Sequence, residues 1–227
     1  MSLIITSGFP RDLPERSDGL LPFESATFEP AYNQVSHSTR GGKIGVVNLG
    51  VPLWVMTFAT HVLPYEEALE YVSWAQSLRG GALLFKAWHP WCRYPLNYPQ
   101  GFTGMKRAGT SESFDGTLTV ASINSTRDQI IVTGLPNAFA FKRGDMISIP
   151  IGATGRTLHR LMAPSTASGL GAANLTVEPT LPLSVVADVT ATVAKPWCLA
   201  VLNADSIRAP LQSGHMGRVE FSATQTF

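Results

Sequence analysis

Only one stretch of this chain repeats its apolar residues at helical spacing, and the sequence beyond it is punctuated too often to hold another helix. Across 64–81, Ala68, Tyr71, Val72, Ala75 and Leu78 share one face, while Glu66, Glu70, Ser73 and Ser77 share the other. Acidic residues fill the first turn, Arg79 stands in the last, and Gly80-Gly81 supplies the stop. Leu83-Leu84-Phe85 then reads as a buried strand. Further on, strand signals recur at 118–123, 129–133, 146–149, 157–161, 173–177, 187–193, 198–202 and 219–221. Gly134, Asn137, Gly144-Asp145, Gly155, Gly169, Gly171, Pro179 and Asp205 mark the turns between them. This spacing predicts a mainly β protein: a β-sandwich or barrel with one amphipathic helix.

The segment before the helix reads differently. Pro10, Pro14, Pro22 and Pro30, with little apolar periodicity, predict an extended N-terminal arm over residues 1–42 that ends at Arg40-Gly41-Gly42. Ile44, Val46 and Val47, followed by Leu53 to Phe58, predict two strands paired with each other around Gly50-Val51-Pro52. The expected organisation is an arm over 1–42, strands with the helix and an aromatic loop over 43–104, and a β region over 105–227. Residues 43–227 are expected to pack as one unit.

Charge narrows the function classes. Lys, Arg, Asp and Glu make up 15% of 227 residues and balance to +1, against about 25% in an ordinary soluble domain. That argues against a nucleic-acid binder held by bulk charge, and a hydrophobic content of 44% argues against disorder. So few charges leave either a Ser/Thr-coated exterior or surfaces covered by other subunits. The first ten residues carry no basic run of a secretory leader. The stretch 44–60, free of charge and histidine, is broken by Asn48, Gly50 and Pro52, so no membrane insertion is expected. Cys92 and Cys198 each follow a Trp and form no CxxC, which predicts free thiols rather than a zinc site.

No catalytic motif is present: there is no nucleophile elbow, HExxH, P-loop or dinucleotide fingerprint. His37, His61, His89, His159 and His215 never fall within four positions of one another. The carboxylates of the β region, Glu112, Asp115, Asp128, Asp145, Glu178, Asp188, Asp205 and Glu220, sit mostly at turns and strand ends, and no pair is nominated for acid–base work. The expectation is a non-enzyme without cofactor or metal. The strongest candidate site is the loop carrying Trp88, Trp91, Tyr94, Tyr98 and Phe102, stiffened by Pro90, Pro95 and Pro99. These residues are a candidate protein interface; closing the core beside the helix and stacking sugar rings are the other two uses open to them.

Two stretches together resemble a known family. The first is Ala68-Leu-Glu-Tyr-Val-Ser-Trp74-Ala-Gln-Ser-Leu78-Arg-Gly80-Gly81 followed by Leu84-Phe85. The second runs from Phe141-Lys-Arg-Gly144-Asp145-Met146-Ile147-Ser-Ile149 through Leu158-His-Arg-Leu161, Gly171 and Val177-Glu-Pro179-Thr-Leu181 to Ala194-Lys-Pro196. This pattern is similar to the distal tail and related baseplate (tail-tip) proteins of long-tailed bacteriophages. The resemblance implies a structural virion component, usually a hexameric ring of identical copies, that joins the tail tube protein to the hub and baseplate proteins. It implies location in the virion tail after assembly in the host cytoplasm, and it transfers no catalytic residue. A carbohydrate-binding β-sandwich module of a phage tail or capsid decoration protein is the alternative expectation.

Overall fold

The computed structural model describes residues 3–4, 8–16, 22–38, 40–212 and 216–227. In chain order the main elements are β1 (Arg11–Asp12), β2 (Phe23–Ala31), β3 (Gln34–Ser38), β4 (Ile44–Asn48) and β5 (Leu53–Thr60). Helix α1 (Tyr65–Ser77) and β6 (Phe85–Trp88) follow. Next come β7 (Thr117–Ile123), β8 (Gln129–Thr133), β9 (Met146–Ile151), β10 (Gly155–Leu161), β11 (Ala173–Glu178) and β12 (Val189–Thr192). The chain ends on β13 (Trp197–Leu202) and β14 (Glu220–Gln225). The fold is mainly β, with one α-helix among the described residues.

Twelve of these strands make two structures. Six form an open sheet in the order β1-β6-β13-β14-β5-β2, and six close into a barrel in the order β7-β8-β11-β10-β9-β12. The barrel is inserted between β6 and β13, so the boundary in the chain falls on either side of residues 117–192 rather than once near residue 105. Inside the barrel, alternate positions point inward: Leu118 and Val120, Ile130 and Val132, Leu175 and Val177 are all buried. Strand β9 has no such alternation. Ile147, Ile149 and Ile151 face the barrel interior, while Met146 joins the core of the open sheet, so both faces of β9 are covered.

Helix α1 packs on one face of the open sheet. Tyr71, Trp74, Ala75 and Leu78 bury against Phe58, Phe85, Ala200 and Phe221, with Trp74 5.2 Å from Phe85 and 5.6 Å from Phe221, centroid to centroid. Glu67 turns inward and is buried, 3.6 Å from the Arg16 guanidinium. Met146 and Leu158 of the barrel enter this same core, and the Trp54 indole donates to the Leu158 carbonyl at 2.6 Å. Arg160 donates to the Phe28 carbonyl at 3.1 Å and lies 5.1 Å from the Trp54 ring centroid. The barrel is therefore stitched to the sheet by apolar contact and hydrogen bonds together.

Two expectations about the N-terminal third need correction. The arm over 1–42 is largely part of the body: β2 pairs with β5 along its length, and Leu13, Phe23 and Phe28 are each at most 3% exposed. Proline spacing concealed this because Pro22 lies just before β2 and Pro30 near its end, on an edge strand where a missing N–H breaks no ladder bond. Residues 1–2, 5–7, 17–21 and 39 of that arm lie outside the described residues. The second correction concerns pairing. β4 pairs with β3, from Gln34↔Asn48 to Ser38↔Ile44, whereas β5 pairs with β2 and β14. Two neighbouring apolar runs were expected to form one hairpin, and instead they belong to different sheets.

Candidate functional site: a bare hairpin beside a plugged barrel

The aromatic loop closes one end of the barrel. Tyr98 stacks on Phe139 with centroids 4.3 Å apart, Phe102 lies 4.9 Å from Phe114, and Phe114 lies 5.3 Å from Phe139. Tyr94 meets Phe102 edge-on at 5.5 Å, and the Tyr98 hydroxyl accepts the Ala140 N–H at 2.9 Å. Asp145 holds the loop from below, accepting the N–H of Leu96 and of Lys142, each at 2.8 Å. Its burial pushes the carboxyl above its usual value, against the opposing pull of those two hydrogen bonds. Trp88 is buried in β6 at the end of the open sheet. Of the five residues expected to form an interface, Trp88 and Phe102 are thus core, Tyr94 and Tyr98 are half-buried in the plug, and Trp91 alone is exposed, at 48%. The physical reason is that three prolines hold the loop across the barrel mouth, where apolar rings gain more by covering the core than by facing water. The sugar-stacking platform is likewise reduced to Trp91.

A different segment carries the exposed apolar surface. β3 and β4 form a two-stranded sheet by themselves, with no further strand on either edge among the described residues. Ser36, Ser38, Val46 and Ile44 point to one side; Val35 and Val47 point to the other, where the His37 ring lies over Gly45. A methyl group at Gly45 would come within 2.5 Å of His37 Cε1, so this position has room only for glycine while that ring is in place. Val35, Ile44, Val46, Val47 and Leu49 are 51–69% exposed. An isolated two-stranded hairpin is marginal in water, and one with bare valines on both faces and two open edges is a template for another chain.

The base of the hairpin is fixed although its blade is not. Leu49 N–H donates to the Asn33 carbonyl at 2.8 Å, and the Tyr32 hydroxyl donates to Glu178 Oε1 of the barrel at 2.8 Å. Partial burial and the Glu178 carboxylate push the Tyr32 phenol up to about 12. The hairpin thus projects from a fixed root, a pre-organisation that lowers the entropy lost when a partner covers it.

The remaining chemistry-bearing residues are dispersed. Among the described residues no group of three or more His, Cys, Asp or Glu gathers as metal ligands, and His215 lies outside them. Cys198 is fully buried and Cys92 half-buried, and both thiols are free. His89, packed 4.9 Å from Phe28 and 5.7 Å from Trp91, is lowered to about 4 by burial and then by the nearby Arg160 charge. Among the described residues no helix is long and apolar enough to cross a membrane. No known family model matches this sequence, and no curated protein matches it either.

The hairpin had a signal in the sequence. Val35 and Val46-Val47 flank Arg40-Gly41-Gly42, a turn-forming cluster between two short β-prone runs. The prolines on its N-terminal side masked that signal by marking the whole segment as an arm.

Proposed function

We propose that this chain is a structural subunit that assembles head-to-tail with copies of itself, forming the ring of a phage tail tip that joins tail tube to hub and baseplate. The observation that carries the reading is the hairpin Gln34–Asn48, apolar on both faces, open at both edges and held at its root. A blade of this kind offers strand edges and valines that a groove or sheet edge on another molecule would cover. Contact between two different patches of the same chain is heterologous and gives a closed ring when the rotation closes. The open sheet supplies a receptor of suitable kind, since β2 is an unpaired edge on its outer side. The tail-tip setting comes from the sequence resemblance, and the scarcity of charge fits surfaces that neighbours cover.

The test is a pair of substitutions on one face of the blade, Ile44→Ser with Val46→Ser. These side chains are 69% and 55% exposed, so covering them in an interface is worth about 2–3 kcal/mol together, roughly 30- to 160-fold in the interface dissociation constant. Folding should change by less than about 0.5 kcal/mol, because neither side chain is part of a core. Mass measurement across a concentration series, with and without tail particles, reads the outcome. A wild-type protein that stays at 24.4 kDa throughout and is absent from purified tails overturns the proposal. So does a double variant that assembles as well as wild type.

A further inference from the structure

Between the open sheet and the barrel lies a groove of about 370 Å³ that the assembly reading does not use. Its floor follows from strand register. β6 and β13 run antiparallel with Trp88 opposite Trp197 and Lys86 opposite Leu199, so Lys86 and both indoles lie on the sheet face turned away from α1. The barrel supplies the other wall through Arg156 on β10, Thr117 on β7 and Thr192 on β12. Two cations converge on one ring: Lys86 Nζ and Arg156 Cζ each lie 5.4 Å from the Trp197 centroid. Lys195 Nζ lies 4.7 Å from the neighbouring Trp88 ring.

The charges in this groove are unequally satisfied. Lys86 has Asp12 at 3.2 Å, and Lys195 pairs with Glu15, which also faces Arg93 at 3.6 Å. Arg156 is half-buried and has no carboxylate partner among the described residues. It donates from Nε to Ser148 Oγ at 3.1 Å and from Nη2 to the Thr190 carbonyl at 3.2 Å, which engages two of the five N–H donors of a guanidinium. These two bonds fix the plane of the fork without neutralising it. Loss of water around it disfavours the charged form. Two carboxylates, Asp12 and Glu15, thus answer Lys86 and Lys195, and the Arg156 charge is left over. A half-buried, oriented guanidinium without a counter-charge is the arrangement that a bound oxyanion completes.

We propose that this groove binds an oxyanion carried on a sugar-sized ligand, a phosphate or carboxylate group, with Arg156 as the bidentate donor and Lys86 and Lys195 as flanking charges. Trp197 forms the apolar wall, and Thr117 and Thr192 line the same groove. The volume matches a monosaccharide derivative rather than a polymer, at the small end of the usual range of ligand pockets. This inference stands whether or not the chain forms a ring.

Trp197 and Trp88 serve as reporters. Fluorescence is titrated with inorganic phosphate, glucose 6-phosphate, glucuronate and, as the neutral control, glucose. The expected result is a saturable change with the oxyanions and none with glucose, weakening as salt rises. Preference for glucose 6-phosphate over glucuronate assigns phosphate as the group recognised, and the reverse assigns carboxylate. Arg156→Gln should weaken phosphate binding at least about tenfold, and Lys86→Gln should weaken it less. Because Arg156 also packs on Trp197, urea midpoints are compared first. If Arg156→Gln does not fold, Arg156→Lys replaces it, keeping the charge and losing the fork. No saturable response to any oxyanion, or wild-type phosphate affinity in the folded Arg156 variant, overturns the proposal.

Discussion

Lowering the pH from 7 to 5 should cost about 2 kcal/mol of stability through His159 alone. This residue sits on the inner face of β10 opposite Ile147 and is 1% exposed. Its Nδ1 lies 2.6 Å from the Pro179 carbonyl, so Nδ1 carries the proton and donates; Nε2 is buried with no partner. Burial lowers the ring to about 4, with the Pro179 hydrogen bond opposing. An unfolded histidine titrates near 6.5, so between about 6.5 and 4 the unfolded chain takes up a proton that the folded chain refuses. Stability is therefore full above that window and declines as the pH falls through it, approaching a loss of about 3.4 kcal/mol well below pH 4. His89 shifts in the same direction and adds to the decline. Asp145, raised by burial, works the other way, because protonating it is easier in the folded state. Asp128 is held low by the Thr126 and Asn124 side chains; its stabilisation is lost only below the ordinary carboxylate range, outside the histidine window.

The informative variant is His159→Gln, whose amide can still donate to the Pro179 carbonyl but cannot titrate. None of the five tryptophans, at positions 54, 74, 88, 91 and 197, lies in a barrel strand. Urea unfolding should thus be followed by far-ultraviolet circular dichroism at pH 7, 6 and 5, with hydrogen exchange at the β9–β10 amides as a local check. Over that range wild type should lose about 2 kcal/mol more than the variant. Equal losses within about 0.5 kcal/mol would refute the assignment of the decline to this ring.

Three further outcomes follow from the packing. Arg127 donates to the carbonyls of Leu181, Pro182 and Val185 at 2.5–3.0 Å, holding a loop whose Leu183 is 86% exposed; Arg127→Met should cost about 2–3 kcal/mol and speed hydrogen exchange at Leu181 and Val185, and unchanged protection would count against it. Gly171 has φ +72° and no room for a methyl beside the Leu135 carbonyl, so Gly171→Ala should lower stability by about 1–3 kcal/mol in thermal unfolding, and an unshifted midpoint would disprove the clash. Deleting residues 1–30 removes Leu13, Phe23 and Phe28 from the core, and each such loss is worth about 2–5 kcal/mol, so tryptophan fluorescence should report an unfolded sheet layer; a truncated chain with wild-type thermal stability would show those contacts to be dispensable.

Some of this was legible in the residues themselves. The single helix, the strands expected at 129–133 and 173–177 and the turns between them follow from local periodicity, because one buried face imposes a period on a strand or helix. The Glu67 position ran against the amphipathic pattern; it is buried because Arg16, far away in sequence, comes to meet it. The uncharged stretch 44–60 splits between the exposed blade of β4 and the core strand β5.

Sequence alone determined the class of the fold, since β-branched runs broken by Gly and Pro leave no other regular structure available. Only the tertiary structure decided partners: which strand lies beside which, whether an aromatic ring caps a barrel or faces water, and where three cations meet two indoles. Those outcomes depend on contacts between residues distant in the chain, such as Trp54 with Leu158 or Trp88 with Trp197. A local pattern states that a face must be buried but carries no record of what buries it. That is why the aromatic loop, a candidate interface, lies mostly in the core, and why the Val35–Val47 segment, expected as arm and strand, forms a bare hairpin.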